Sequence, residues 1–343
     1  MTRRISTLLV SGVIFVALLA VALTLPVPYV ILGPGPTYNT LGTDDSGNPI
    51  ISIKGHPVRH KDGHLNLTTV NVPQGAVTSV AAFIGWIKHD EVVVPRSTVY
   101  PPGQSQQQVN QQDTQDFVQS QDSAIYAALC QLGYPKEFGV ISVPNDSPAA
   151  GKVQPGDELI SLGGHPVTST AQLTAALSNA TPGTRTTLVV KRDGRTVSIP
   201  ITLTEPPKGG KGARIGITVG NGCLAPFSVD LGLGGQIGGP SAGLMFALGI
   251  IDELGSTDLT GGRFIAGTGT IDANGTVGPI GGIQLKMIAA RRAGASVFLA
   301  PQGNCPDVRG ATPAGLGVVK VDTLQHAIEY LEDLQQGKPV PHC

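Results

Sequence analysis

The longest unbroken apolar stretch comes first. Ile5 to Leu25 carries no charged side chain and follows a short basic end, Met1 to Arg4. A run of that length can cross a bilayer as a helix, and Arg3 and Arg4 would hold its start on the cytoplasmic side, so the pattern reads as a signal anchor that exports everything after Pro26. A cleaved signal peptide is the other reading, with Ala20-Val21-Ala22 as the small-residue site, but the apolar run continues past it without a polar break. From Pro26 to about Pro101 short strands alternate with turns: Gly33-Pro34-Gly35-Pro36 is a rigid turn, and Leu65 to Val70 a strand. Val77, Val80, Ala81, Ile84 and Ile87 then give a helix one apolar stripe, which reads as core packing.

Pro101 to Asp113, rich in Gln, Pro and Ser, reads as an exposed loop. Phe117, Ala124, Ile125, Ala128, Leu129 and Leu132 predict an amphipathic helix ending at Gly133. The pattern then shortens to that of a compact β-rich unit. Phe138 to Val143 is a strand, Ser147 to Gly151 a turn or short helix, and Val153 to Gly164 a turn into a strand. Thr170 to Leu177 is a helix, and Thr187 to Leu203 a hairpin turning at Asp193-Gly194. Pro206 to Gly212 is a natural linker. The last region opens with a strand at Ala213 to Val219. It holds a buried helix from Leu244 to Leu254, strands at Ser296 to Ala300 and Val318 to Val321, and a closing helix with Leu324, Ala327, Ile328, Leu331 and Leu334 on one face.

The expectation is an α+β chain divided into a cytoplasmic basic end (1–4), a transmembrane segment (5–25), an N-terminal extracytoplasmic region (26–133), a β-rich domain (134–205), a linker (206–212) and a final α+β domain (213–343).

Composition narrows the picture. With 343 residues, 41% apolar and 14% charged, the chain can build two or three cores. A net charge of −1 gives no electrostatic reason to expect nucleic acid as a partner. His56, His60 and His64 are spaced by fours, as metal ligands on a helix would be, but Pro57 and Gly63 break such a helix, so they read as surface histidines and no metal site is expected. The four cysteines, Cys130, Cys223, Cys305 and Cys343, show no CxxC spacing. Cys223 and Cys305 share the last domain and are the expected disulfide.

Candidate chemistry lies in the Gly-rich stretch Gly234 to Gly243, where Gly239-Pro240-Ser241-Ala242-Gly243 runs straight into the Leu244 to Leu254 helix. Serine before a helix is ordinarily an N-cap. Here it also meets unpaired backbone N–H groups and the positive end of the helix dipole, an environment that stabilises a developing oxyanion. The Gly-x-Ser-x-Gly spacing leads out of a loop and not a strand, so an α/β-hydrolase elbow is not indicated. A partner for Ser241 stands downstream in Gly281-Gly282-Ile283-Gln284-Leu285-Lys286-Met287. Apolar neighbours would desolvate an inward-facing Lys286, lower its pKa and leave a neutral amine able to take the Ser241 proton. His326, on the closing helix, reads as a surface residue and not as a triad member.

Three stretches, Gly239-Pro240-Ser241-Ala242-Gly243, Thr268-Gly269-Thr270-Ile271 and Pro279-Ile280-Gly281-Gly282 with Lys286 four residues on, resemble the proteolytic domain of Lon proteases. Ser147-Pro148-Ala149-Ala150-Gly151 and Pro155-Gly156-Asp157-Glu158-Leu159-Ile160 resemble a PDZ domain of the kind attached to bacterial proteases. The layout is similar to that of membrane-anchored, PDZ-containing Lon-like proteases. The resemblance implies Ser241 as nucleophile, Lys286 as general base and Thr268 as a support for the lysine. Gly239, Pro240 and Ala242 would supply backbone groups at the oxyanion. A peptide would add along Phe138, Gly139, Val140 and Ile141. It also implies protein or peptide substrates, no cofactor and a ring-shaped homo-oligomer, hexameric in the family. Many relatives carry an acidic residue three before the nucleophile, where this chain has Gly238. No GxxxxGK[ST] phosphate loop occurs in these residues, so ATP-independent proteolysis is expected and a nucleotide-binding regulator is disfavoured. The competing expectation is a membrane-tethered peptide-binding scaffold whose Lon-like domain is catalytically silent.

Overall fold

The computed structural model describes residues 2–343 except 60–61, 74, 145–146, 193, 207–210 and 234–236. His60, Asp193, part of the expected linker and Gly234 to Gln236 therefore lie outside the described residues.

The chain opens with helix α1 (Thr2–Thr24), long and apolar enough to cross a membrane and unburied over its apolar window. Next come β1 (Pro26–Val27), β2 (Tyr29–Asn39), β3 (Ile51–Lys54), β4 (His64–Asn71), β5 (Val77–Thr78) and α2 (Ser79–Ile87), then β6 (Val92–Pro95), α3 (Arg96–Val99) and α4 (Gln106–Gln131). Helix α4 starts well before the expected Phe117, and residues 106–113 are helical and not loop. The reason is a capping box: Ser105 Oγ accepts from the Gln108 N–H while the Gln108 side chain accepts from the Ser105 N–H. The β-rich unit runs β7 (Lys136–Ser142), β8 (Glu158–Leu162), β9 (His165–Pro166), α5 (Thr170–Ser178), β10 (Arg185–Arg192) and β11 (Arg195–Thr202). The remainder is β12 (Thr218–Cys223), β13 (Ser228–Leu231), α6 (Gly243–Leu254), β14 (Phe264–Gly267), β15 (Thr270–Ile271), β16 (Val277–Gly278), α7 (Ile283–Ala293), β17 (Val297–Pro301), α8 (Cys305–Val308), β18 (Gly317–Val321) and α9 (Leu324–Gln335).

One mixed sheet, ordered β18-β17-β14-β4-β2-β6, carries the site. Strands β4, β14, β17 and β18 are parallel, while β2 runs antiparallel to β4 and β6. β17 is buried at every position, as expected of a strand covered on both faces. The expected division into 26–133 and 213–343 does not match this sheet, because β2, β4 and β6 from the earlier region are strands of it. Leu65 and Leu67 of β4, Phe117, Ala124 and Ala128 of α4, and Phe246 and Leu248 of α6 share one core. Neither region alone could cover the apolar faces of α4 and α6.

The second sheet is ordered β11-β10-β8-β7-β12, with β9 added to β8. Ala213 and Ile215 are buried in its core with Leu188, Val190 and Ile199, so the chain after the linker still belongs to this unit up to β12. β12 pairs with β7 along its length, which leaves β7 an inner strand. Phe138, Gly139, Val140 and Ile141 therefore offer no free edge to an added peptide. The outer strands of this sheet are β11 and β12, and β12 is the outer strand beside β7 where an incoming strand could pair.

Two further expectations are corrected. The stripe on α2 is not core: Ile84 is 50% and Ile87 57% exposed, and the inward position is Gly85, against Ile31, Val93 and Glu91. The disulfides are Cys130–Cys223 and Cys305–Cys343 in place of Cys223–Cys305. Packing decides this. α4 lies along β12, where a Cβ on Gly220 or Gly222 would run into the ring of Tyr126, and that contact brings Cys130 to Cys223.

Candidate active site

Three elements meet at Ser241. The residue ends the Gly-rich loop one position before Ala242, the N-cap of α6, and the helix behind it, buried from Gly243 to Glu253, holds the loop in place. The Ser241 carbonyl accepts from the Gly269 N–H at 2.9 Å and from Thr268 Oγ1 at 3.0 Å, which locks the loop to the turn after β14. Helix α7 is preceded by its N-cap Gly282, whose φ of +69° is a left-handed conformation that glycine adopts without strain. Ile283, Met287 and Ala290 pack against Ala266, Phe298 and Ala300, and this seating turns Lys286 toward the serine.

Lys286 Nζ lies 2.7 Å from Ser241 Oγ and 2.9 Å from Thr268 Oγ1. Lys286 is 3% exposed and Thr268 fully buried. Burial pulls the Lys286 pKa down to about 7, because an ammonium loses its hydration there without gaining a carboxylate partner. The proton inventory is consistent with a neutral amine. Thr268 spends its hydroxyl proton on the Ser241 carbonyl and can accept an N–H from Lys286, leaving the amine lone pair for the Ser241 hydroxyl.

A cleft of about 900 Å³ opens in front of Ser241. Its walls are the end of β4 from Thr68 to Asn71 with Val72 just beyond it, the loop Ile237 to Ala242, the Pro279 to Gly281 turn, and α4 through Asn110, Asp113 and Thr114. α4 was not foreseen at the site, and its Asp113 is the notable addition. The Asp113 Cβ stands against Gly238, so a carboxylate from another element neighbours the position that lacks one in sequence. Partial burial holds the Asp113 pKa above the usual carboxylate value, and Asp116 adds to the effect. The α4 backbone also pins the loop: the Asp113 carbonyl accepts from the Gly239 N–H at 2.8 Å, and Ser120 Oγ donates to the Pro240 carbonyl at 2.8 Å.

These bonds revise the expected oxyanion donors. Pro240 has no backbone N–H to give, and that of Gly239 is committed to Asp113. Ala242 is the N-cap of α6, a position whose N–H has no acceptor within its own helix, and it is the expected donor that remains. His326 is outside the cleft, where Nδ1 meets Asp322 Oδ1 at 2.6 Å on an exposed face. His56 rests on Phe227 and His64 stacks on Phe264.

Comparison with known families agrees with this layout. Residues 108–203 match the PDZ domain family, and residues 236–333 match the Lon protease (S16) C-terminal proteolytic domain. The chain thus joins a PDZ domain to a Lon-type proteolytic domain, the arrangement of a PDZ-containing Lon-like protease. Among individual relatives, the Lon protease of Roseiflexus castenholzii is 38% identical over 93 residues, which is 27% of this chain and 11% of that protein. The Lon protease of Campylobacter concisus is 37% identical over 95 residues, 26% of this chain and 12% of that protein. The matched segment thus spans about a tenth of these relatives' length. Among solved structures, the PDZ domain of an SdrC-like protein from Listeria monocytogenes aligns at 26% identity with a TM-score of 0.23, over 25% of this chain and 88% of that one.

Proposed function

We propose that this chain is a membrane-anchored serine endopeptidase that works outside the cytoplasm, without ATP, through a Ser241–Lys286 dyad. The observation that carries the reading is the 2.7 Å contact between Ser241 Oγ and a buried lysine whose pKa is lowered to about 7. Neutral Lys286 removes the Ser241 proton as Oγ attacks the peptide carbonyl, and then returns that proton to the leaving amine. The Ala242 N–H and the N-terminus of α6 face the oxyanion, and Thr268 positions the amine. Beyond residue 67, where its pairing with β14 ends, β4 lines the cleft with a free edge along which an extended substrate can lie. Nothing in these residues would pull folded proteins apart, so the substrates are unfolded, flexible or membrane-tethered segments. α1 supplies the anchor, Arg3 and Arg4 its orientation, and the two disulfides suit an oxidising compartment. A homo-oligomer, hexameric as in the resembling family, is part of this reading.

The test is cleavage of an unfolded model protein without ATP by wild type, Ser241→Ala and Lys286→Ala. Loss in both variants, each keeping a cooperative unfolding transition, supports the dyad. Cleavage that survives in Ser241→Ala, or a well-folded wild type that cleaves nothing, removes the proposal and favours a peptide-binding scaffold acting through the β12 edge.

A further inference from the structure

Helix α2 is built with its apolar face turned outward. Phe83 is 60%, Ile84 50%, Trp86 76% and Ile87 57% exposed, and no ionisable side chain occurs from Ser79 to Ile87. The helix is nevertheless firmly seated. Thr78 Oγ1 caps it by accepting from the Ala81 N–H, and Gly85 lets it close on Ile31 and Val93. An unpartnered apolar patch of this size on a secured helix marks an interaction surface.

Its position says which partner covers it. α1 ends at Thr24, and two residues later β1 pairs Pro26 with Thr78 and Val27 with Val77. The start of α2 is therefore about one strand spacing, ~4.8 Å, from the chain as it leaves the apolar helix. α1 also touches α2 directly. If α1 spans a bilayer, α2 sits at the depth where the span emerges, the level at which Trp and Phe side chains are favoured. An exposed apolar face beside a charge-free helix surface at that depth fits headgroups and upper acyl chains.

We propose that α2 lies in the bilayer surface beside α1, with Phe83, Ile84, Trp86 and Ile87 inserted among the lipids, giving the body a second membrane contact. This rests on the reading of α1 as a membrane span. The chain supplies its own probe, because Trp86 is its one tryptophan.

The full chain is reconstituted into vesicles of phosphatidylcholine and phosphatidylglycerol, with matched vesicles brominated either near the headgroups or near the midplane. Trp86 emission is expected at shorter wavelength than in the unfolded chain, shielded from iodide, and largely lost with the headgroup-proximal bromines. Phe83→Ser with Ile87→Ser, which alters only outward side chains, is expected to restore iodide quenching with an unchanged melting profile. Iodide quenching of wild type equal to that of the unfolded chain overturns the proposal. So does shielding from iodide without any bromine effect, which would mean that a second copy covers the face. Alkaline carbonate extraction separates the two readings: a chain retained in the membrane with an exposed Trp86 sinks this inference alone, whereas a chain that is extracted with Trp86 exposed sinks the span as well. Extraction with Trp86 still quenched by headgroup-proximal bromines supports α2 as a surface contact without the span.

Discussion

At the scale of single residues, Lys286 is held where its charge is most costly. The unfolded chain binds a proton there with the ordinary pKa of 10.5, whereas the folded chain does so at about 7. Between those values the unfolded state carries more protons, so this residue makes stability rise with pH across that window and withholds it as pH falls through about 7. Cleavage is expected to rise with pH through about 7 and then level off, measured as kcat/KM, and a flat profile would contradict a lysine base. Lys286→Met should lower cleavage by about 10²–10⁴-fold while flattening the pH dependence of the melting temperature. Asp113 belongs to the same scale. Among the described residues it is, apart from Lys286, the charged side chain lining the cleft, so peptides with Lys or Arg near the scissile bond should be cleaved faster than their Glu counterparts. Asp113→Asn should cut that preference by roughly 5-fold, as for a partly exposed ion pair, in a positional peptide comparison.

Among the elements, α4 joins the cleft to the PDZ sheet. Its first turns line the cleft, Ser120 and Asp113 hold the Ser241 loop, and Tyr126 and Cys130 meet β12 of the PDZ sheet. Asp122 lies between these contacts, and burial raises its pKa from 3.8 to about 6. Between those values the folded chain holds a proton at Asp122 that the unfolded chain has released. Its stabilising contribution is present below 3.8 and lost as pH climbs through about 6. Asp122→Asn should gain about 1–2 kcal/mol at alkaline pH, discounted for partial exposure, and nothing at acid pH, read from paired denaturation curves. The capping box that starts α4 was legible as Ser105 with Gln108 three residues on. The polar composition of 101–113 hid it, because a solvated helix face and a loop share the same residue types.

For the whole molecule, the disulfides close loops of 93 and 38 residues, one tying α4 to the PDZ edge strand and the other tying the C-terminus to α8. Replacing either pair by serine is expected to cost about 2–4 kcal/mol, seen as a lower melting temperature, and replacing both should match the reduced wild type. An unchanged melt after Cys130→Ser with Cys223→Ser would show that α4 and β12 are held by packing alone.

The sequence by itself determined what depends on neighbours along the chain. The apolar run of α1, the Gly-framed Ser241 before a buried helix, the turn with Thr268 and the apolar setting of Lys286 were all local patterns, and the structure brings the last three within hydrogen-bond reach of one another. Tertiary structure alone decided what depends on which surfaces meet. It placed β2, β4 and β6 in the Lon-type sheet, gave β7 a partner in β12, paired Cys130 with Cys223 across domains and brought Asp113 to the cleft. It also turned the α2 stripe outward. Hydrophobic periodicity reports that a face is apolar. Whether protein, lipid or a second chain covers that face is settled by the area available in the folded core, which no window of sequence contains.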